Sequence, residues 1–339
     1  MTQLAPQPDP SVASLTRADL DLARRISGTI EEVFATKVVG QTRLLRSLMI
    51  TVIARGHLLM ESVPGLAKTL SASVLASAVD ASFSRIQCTP DLLPADIIGT
   101  QIFDPATSTF RTRLGPVHAH FVLLDEINRS SAKTQSAMLE AMQERQTTIG
   151  GETHRLPQPF LVLATQNPID DEGTYLLPQA QMDRFLLKEV LDYPTMGEEM
   201  EMLARIADGS LADTRVAAVA SLEEVRFLQM AADRVHVAES VRRYIVGVLN
   251  VTRAPHEHLP ADVARYVEHG ASPRGAIAFL QAARASALLD GRDHVLPEDV
   301  HALRHPVLRH RLLLTFEAVA ERVRPETVID AVFDVVPTP

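Results

Sequence analysis

The feature that most restricts the fold is an alternation of two patterns. Five short apolar runs, His57–Glu61, Phe83–Gln87, Phe121–Asp125, Phe160–Thr165 and Phe185–Val190, are separated by segments of helical periodicity. Near-continuous apolar runs are what strands buried on both faces look like, and strands joined through helices run parallel. The spacing therefore predicts an α/β fold with a parallel sheet covered on both sides. Two helices precede it, carrying Leu20, Leu22, Ile26, Ile30, Val33 and Phe34, then Leu44, Leu45, Leu48 and Val52, with a break at Gly40. Thr100–His120 and Thr147–Gln158 interrupt the rhythm. Both are rich in Thr, Gly and Pro and read as hairpins inserted into the core.

After Asp192-Tyr193-Pro194 no strand-like run is convincing. Helices are expected to start at Ser221, at Ser272-Pro273 and at Leu296-Pro297, because proline suits the first helical position, where its missing amide would be unpaired anyway. The expected organisation is a disordered tail over 1–14, an α/β core over 15–208, a linker over 209–221 and an all-α lid over 222–339.

Composition narrows the function. A net charge of -9 lacks the basic balance of a general duplex binder, and 4% aromatics with no Trp offer little for stacking bases. A single cysteine, Cys88, forms no internal disulfide and suits a reducing compartment. Met1–Pro10 does not read as a signal peptide, and no apolar stretch approaches the roughly 20 residues of a membrane helix. The expectation is a cytoplasmic protein.

The chemistry concentrates at strand ends. Glu61-Ser62-Val63-Pro64-Gly65-Leu66-Ala67-Lys68-Thr69 follows the first strand and precedes a helix starting near Leu70. A triphosphate needs many backbone N–H donors converging on one bowl, and a helix N-terminus adds a favourable dipole. Lys68 would reach the terminal phosphates of ATP and the Thr69 hydroxyl would ligate Mg²⁺. Ser62 and Ala67 stand where the phosphate-loop pattern has glycines, and a Cβ on Ser62 would carry strain if that position needs positive φ. A plain strand-turn-helix with a surface lysine is the competing interpretation. Asp125 and Glu126 end the third strand. Asp125 would hold the metal and Glu126 would activate water, two tasks that need separate carboxylates. Asn167, after the fourth strand, is placed to contact the attacking water or the γ-phosphate, or else simply starts a turn with Pro168. Sheet order would put this strand between the first and the third.

Arg184 precedes the fifth strand at the rim. It is either a guanidinium fork for a developing phosphoryl charge or half of a salt bridge with Asp183. Arg274 opens a helix, where it sits poorly against the dipole, and it could reach back over the phosphates. Arg129 is another candidate for an intersubunit contact. His301, His305 and His310 lack the convergence of a metal site. Met196, Met200 and Met202 read as a flexible helix surface or a lid contact. Arg304, Arg309, Arg311, Arg322 and Arg324 read as solvated helix faces, or as a surface for an acidic partner or a neighbouring subunit.

Together these residues resemble the MoxR family of AAA+ ATPases. The resemblance spans about residues 20–315. It rests on Asp125-Glu126-Ile127-Asn128-Arg129 with Lys133-Thr134-Gln135 and Leu139–Glu144, on Thr89–Gly99, and on Ala164–Pro168. It also rests on Glu172-Gly173-Thr174-Tyr175, Gln181–Phe185, Gly270–Arg274 and Leu308-Arg309-His310-Arg311. The resemblance implies an AAA+ core with hairpin inserts followed by a small helical lid. It implies that Val63 to Leu70 (Val63, Pro64, Gly65, Leu66, Ala67, Lys68, Thr69, Leu70) bind the nucleotide and that Val38, Val39 and Gly40 line an adenine pocket. Asp125 and Glu126 become the acid pair, Asn167 sensor 1, Arg184 the arginine finger and Arg274 sensor 2. It also implies ATP and Mg²⁺, a homo-oligomeric, typically hexameric ring, and chaperone-like work on partner proteins, often with a von Willebrand factor A domain and sometimes in metal cofactor insertion. A DNA-acting motor, or a nucleotide-gated platform with feeble turnover, stays open beside it.

Overall fold

A computed structural model describes residues 14–62, 65–167, 175, 177–211 and 216–339. All but Ser14 of the expected tail lies outside the described residues. So do Val63, Pro64, Pro168, the Glu172–Thr174 part of the resemblance, and 212–215 of the expected linker.

The chain opens with α1 (Arg17–Lys37) and α2 (Thr42–Ile53), followed by β1 (Leu58–Glu61), α3 (Lys68–Ala78) and β2 (Phe83–Gln87). Then come α4 (Pro94–Ile98), β3 (Gly99–Asp104), β4 (Thr109–Leu114), β5 (Phe121–Asp125) and α5 (Ala132–Glu144). The core continues through β6 (Gln146–Ile149), β7 (Glu152–Arg155), β8 (Leu161–Gln166), α6 (Gln179–Met182), β9 (Leu187–Val190) and α7 (Met196–Ala207). The remainder holds α8 (Leu222–Arg234), α9 (Glu239–Arg253), α10 (Pro255–His258), α11 (Ala261–Ala264), β10 (Val267–His269) and α12 (Pro273–Leu289). It ends with α13 (Pro297–Ala302), α14 (Arg304–Leu308), β11 (Leu313–Leu314), α15 (Phe316–Ala320) and α16 (Pro325–Val335).

The five apolar runs form one parallel sheet in the order β2-β5-β8-β1-β9. β8 does lie between β1 and β5. Strand alternation divides the core into two layers. Leu58, Met60, Leu123, Leu161, Leu163 and Leu187 face one cluster with α1, α2 and α3. Leu59, Val122, Leu124, Val162 and Ala164 face the other, with Met138, Leu139 and Met142 of α5. The two expected inserts are antiparallel hairpins, β3–β4 and β6–β7.

Local chemistry sets the helix starts. Thr16 with Asp19, and Ser221 with Glu224, form reciprocal capping boxes. Ser272 caps α12, with Pro273 at the first helical position. Between α1 and α2 the chain turns at Gly40, whose φ is +75°. The positive φ favours glycine, and a Cβ there would lie 2.3 Å from the Glu198 carboxylate of α7, which would have to move aside.

One expectation needs correction. The C-terminal half contains strands after all, because β10 and β11 pair in a small antiparallel sheet. Three and two residues are too short for a period to be read. The helices of the lid share a core with the N-terminal helices. Ala282, Ala283 and Leu288 of α12, with Leu228 of α8 and Leu249 of α9, belong to the same apolar cluster as α1 and α2. α12 packs directly on α1, α2 and α8.

Candidate functional site

At the C-terminal ends of the strands, a cleft of about 470 Å³ is lined by Gly65, Leu66, Ala67, Lys68, Thr69, Leu70, Arg85, Gln87, Asp125, Glu126 and Asn167. Strand order explains the gathering, since β1 delivers the loop, β5 the acid pair and β8 Asn167. The loop turns through Gly65 at φ +89° and Ala67 at φ +53°. The left-handed strain therefore falls on Ala67, and Ser62 is not among the described residues at positive φ. Ser62 is buried instead, and its amide donates to the Gln166 carbonyl. Burial pulls the Lys68 pKa down, against the pull of Asp125 and Glu126. Lys68 Nζ lies 3.5 Å from the Ser62 carbonyl and faces the open cleft.

The acid pair is tied into its surroundings. The Thr165 hydroxyl donates to Asp125 Oδ1 at 2.8 Å and accepts from the Glu126 amide at 2.8 Å. Arg85 holds the other oxygen, Oδ2, through Nη2 at 2.5 Å and Nε at 3.2 Å. Gln87 Nε2 and Arg129 Nη1 donate to Glu126 Oε2 at 3.2 and 3.3 Å. The sequence reading missed Arg85, Gln87 and Thr165. The pairing of β2 with β5, which puts Gln87 opposite Asp125, brings in Arg85 and Gln87, and the pairing of β5 with β8 brings in Thr165.

A hydroxyl (Thr69) and a carboxylate (Asp125) share the cleft, the kinds of oxygen donor that a hard divalent cation takes, and in this structure the carboxylate is paired with the Arg85 guanidinium. Val38, Val39 and Gly40 do not line the cleft among the described residues. Val38 is buried in the core, and α7 covers Gly40 through Glu198.

The predicted arginines lie elsewhere. A second cleft of about 370 Å³ is lined by Arg55, Gly56, His57, Met142, Gln143, Arg145, Asp183, Arg184, Phe185, Leu186, Arg274, Ile277, Ala278, Gln281 and Arg311. Gly56-His57 lead into β1 and Phe185-Leu186 into β9, so this cleft sits at the N-terminal ends of the parallel strands. One strand of 4–6 residues, roughly 13–20 Å, separates it from the phosphate loop. Arg274 therefore does not reach back over its own chain's loop. α12 packs against α1 and α2 behind the sheet, which carries its first turn to the base.

The alternative salt bridge from Arg184 to Asp183 is not formed either. Arg184 Nη1 donates to the Leu139 carbonyl at 3.2 Å, and its buried Nε has no acceptor among the described residues. Five guanidiniums face this cleft with one carboxylate, Asp183. Arg311 is buried and paired with Asp183, and Arg55 pairs with Asp233, while Arg274 is exposed at the cleft and can meet an anion from outside the chain.

Two of the C-terminal arginines are not solvated. Arg309 and Arg311 are 8% and 4% exposed. Arg309 donates to Glu326 Oε1 and the Lys188 carbonyl, both at 2.9 Å. His310 is buried, with Nε2 donating to the Phe185 carbonyl at 3.1 Å, and burial lowers its pKa well below the usual value. His305 faces Asp330 instead, so the three histidines do not converge. Among the described residues no cluster of three metal-ligating side chains occurs. Met196 and Met200 stand exposed on α7, as expected of a helix surface.

This order of strands, with a phosphate-type loop after β1, an acid pair after β5, a polar residue after β8 and a helical appendage, defines an AAA ATPase with its lid. The family model for the ATPase family associated with various cellular activities (AAA) matches residues 57–187, and that for the AAA lid domain matches 260–332. The chain is 45% identical to the chaperone MoxR1 of Mycobacterium tuberculosis, over 94% of its own length and 84% of the relative's. It is 34% identical to the MoxR protein of Paracoccus denitrificans, over 89% and 93%. A crystallised candidate ATPase from Cytophaga hutchinsonii superposes with a TM-score of 0.89 at 40% identity, covering 95% of this chain and 97% of that one. The chain belongs to the MoxR family of AAA+ ATPases, chaperone-like proteins by the naming of its relatives. No helix among the described residues is long and apolar enough to cross a membrane.

Proposed function

We propose that the protein hydrolyses ATP at sites shared between two copies of the chain and uses the cycle to remodel a partner protein. One observation carries this reading. The groups that would bind and attack the nucleotide lie at one end of the sheet, and the groups that would neutralise its developing charge lie at the other. A head-to-tail neighbour brings the two ends together, and repetition of that contact closes a ring, typically of six copies by the family resemblance.

At the cleft, main-chain amides from Gly65 to Leu70 and the Lys68 ammonium would hold the phosphates. Thr69 and Asp125 would hold Mg²⁺, which supplies charge neutralisation between the phosphates when bound. Glu126 would take the proton from the attacking water, steadied by Gln87, and Asn167 would orient that water. The neighbour's Arg184 and Arg274 would stabilise the charge on the transferring phosphoryl group. Arg274 thus goes with Arg184, in trans, and no longer with its own Lys68. The protein-partner half of the reading draws support from β3–β4, whose Ile102, Phe103, Phe110 and Leu114 are exposed. Such apolar hairpin surfaces suit protein contacts, for instance with a von Willebrand factor A domain.

The test is complementation. Arg184→Ala and Glu126→Gln are each expected to be nearly inactive in phosphate release. An equimolar mixture should recover about a quarter of wild-type activity, because random neighbours pair an intact cleft with an intact arginine in about one contact in four. A mixture as inactive as its parts would rule out the shared site.

A further inference from the structure

The arginine cleft poses a question that its own residues do not answer. Arg184 precedes a strand and Arg274 opens a helix 90 residues later, yet both must meet one phosphate within a fraction of an ångström to act. Asp183, next to Arg184, is where the two meet. Its Oδ1 accepts from Arg311 Nε at 2.9 Å, and its Oδ2 accepts from the Ser272 hydroxyl at 2.6 Å. Ser272 in turn caps α12, its hydroxyl accepting from the Arg274 amide at 3.1 Å.

Arg311 closes the other side. Nη2 donates to the Asp183 carbonyl at 3.3 Å and the Phe185 carbonyl at 2.6 Å, so it grips the backbone on both flanks of Arg184. Nη1 donates to the Leu186 carbonyl at 3.1 Å and the Val307 carbonyl at 2.5 Å. All three guanidinium nitrogens of a side chain that is almost wholly buried are engaged, and Arg311 touches no phosphate-binding group. Burial lowers its pKa to about 10, still far above neutrality, so the ion pair stays charged.

We infer that Arg311 and Asp183 form a positioning pair that locks Arg184 and Arg274 into one rigid unit and makes the lid of each subunit set the reach of its arginines toward the next subunit's nucleotide. The inference rests on the shared site proposed above. Neither residue contacts the reacting atoms. Both act through the backbone at 183–186 and the cap of α12. A fork is required because a lysine presents one point of charge and cannot hold four carbonyls and a carboxylate in a plane.

Arg311→Lys keeps the charge opposite Asp183 and removes the fork. Its turnover should fall by at least about tenfold, as misplaced catalytic groups cost, while its own nucleotide affinity stays within about twofold of wild type, because its cleft is untouched. Mixed with Glu126→Gln it should recover activity, as Arg184→Ala does. Ser272→Ala, which removes the hydrogen bond to Asp183 and the cap on the Arg274 amide but leaves the ion pair intact, should show a smaller loss with the same recovery. Full turnover in both variants, or failure of Arg311→Lys to recover in a mixture where Arg184→Ala recovers, overturns the positioning role. If Arg184→Ala itself does not recover, the shared site fails first. If Arg311→Lys does not fold, Ser272→Ala alone decides.

Discussion

The two ends of the sheet are built by different means. The cleft at the C-terminal ends takes its groups from the residues that directly follow β1, β5 and β8, and its electrostatics are mixed, with Lys68 and Arg85 set against Asp125 and Glu126. The cleft at the N-terminal ends gathers Arg55, Arg145, Arg184, Arg274 and Arg311 from five separate places in the chain. It is held by buried hydrogen bonds and is predominantly positive, with Asp183 its one carboxylate. The contrast teaches a division of labour. Where the fold itself delivers the groups, short strand ends suffice. Where groups come from distant segments, a buried network must set their geometry.

The largest expected effect separates binding from chemistry. Glu126→Gln should lower the rate of phosphate release by about 10²–10⁴, the range for loss of a general base, with nucleotide affinity nearly unchanged by calorimetry. If affinity collapses along with turnover, the carboxylate belongs to binding and the contrast between the two ends is misdrawn.

Acid should attack the arginine end before the cleft. His57 is buried at the foot of β1, its Nδ1 accepting from the Val162 amide at 3.0 Å and its Nε2 donating to the Met142 carbonyl at 3.2 Å. Burial, above all, lowers its pKa to about 4. A base with a depressed folded pKa leaves stability intact above its unfolded value near 6.5 and loses it as pH falls toward the folded value. The loss should total roughly 3 kcal/mol by pH 4. Thermal melts from pH 7 to 4 should show that decline, and His57→Gln should flatten it. A melt temperature unchanged across the range would mean that the imidazole is not buried neutral.

The smallest effect is local to the phosphate loop. Ala67 occupies the left-handed region, where a Cβ costs about 1 kcal/mol. Ala67→Gly should raise stability by no more than that, with turnover retained. A destabilised variant would mean that the loop relies on the stiffness of alanine rather than enduring its strain.

Much of the cleft was legible in the residues. Lys68-Thr69 after an apolar run, Asp125-Glu126 at the end of another, and Asn167 after a third needed only the rule that parallel strands present their C-terminal ends to a ligand. Ser62 drew suspicion that belonged to Ala67, because a motif names residue types and not dihedral angles. Arg85 and Gln87 carried no readable mark, since their importance comes from β2 pairing with β5.

What the linear order of residues determined alone was most of the core elements: the parallel sheet, its hairpin inserts, the helix starts at Ser221, Ser272 and Leu296, and the residue types at three strand ends. These follow from periodicity and capping, which act within a few residues. The location of Arg274, the burial of Arg309 and Arg311, and the bridge from Asp183 to Ser272 were decided only by tertiary packing. They depend on where α12 comes to rest against α1 and α2, a choice made by the total apolar surface buried, which no local stretch of residues encodes.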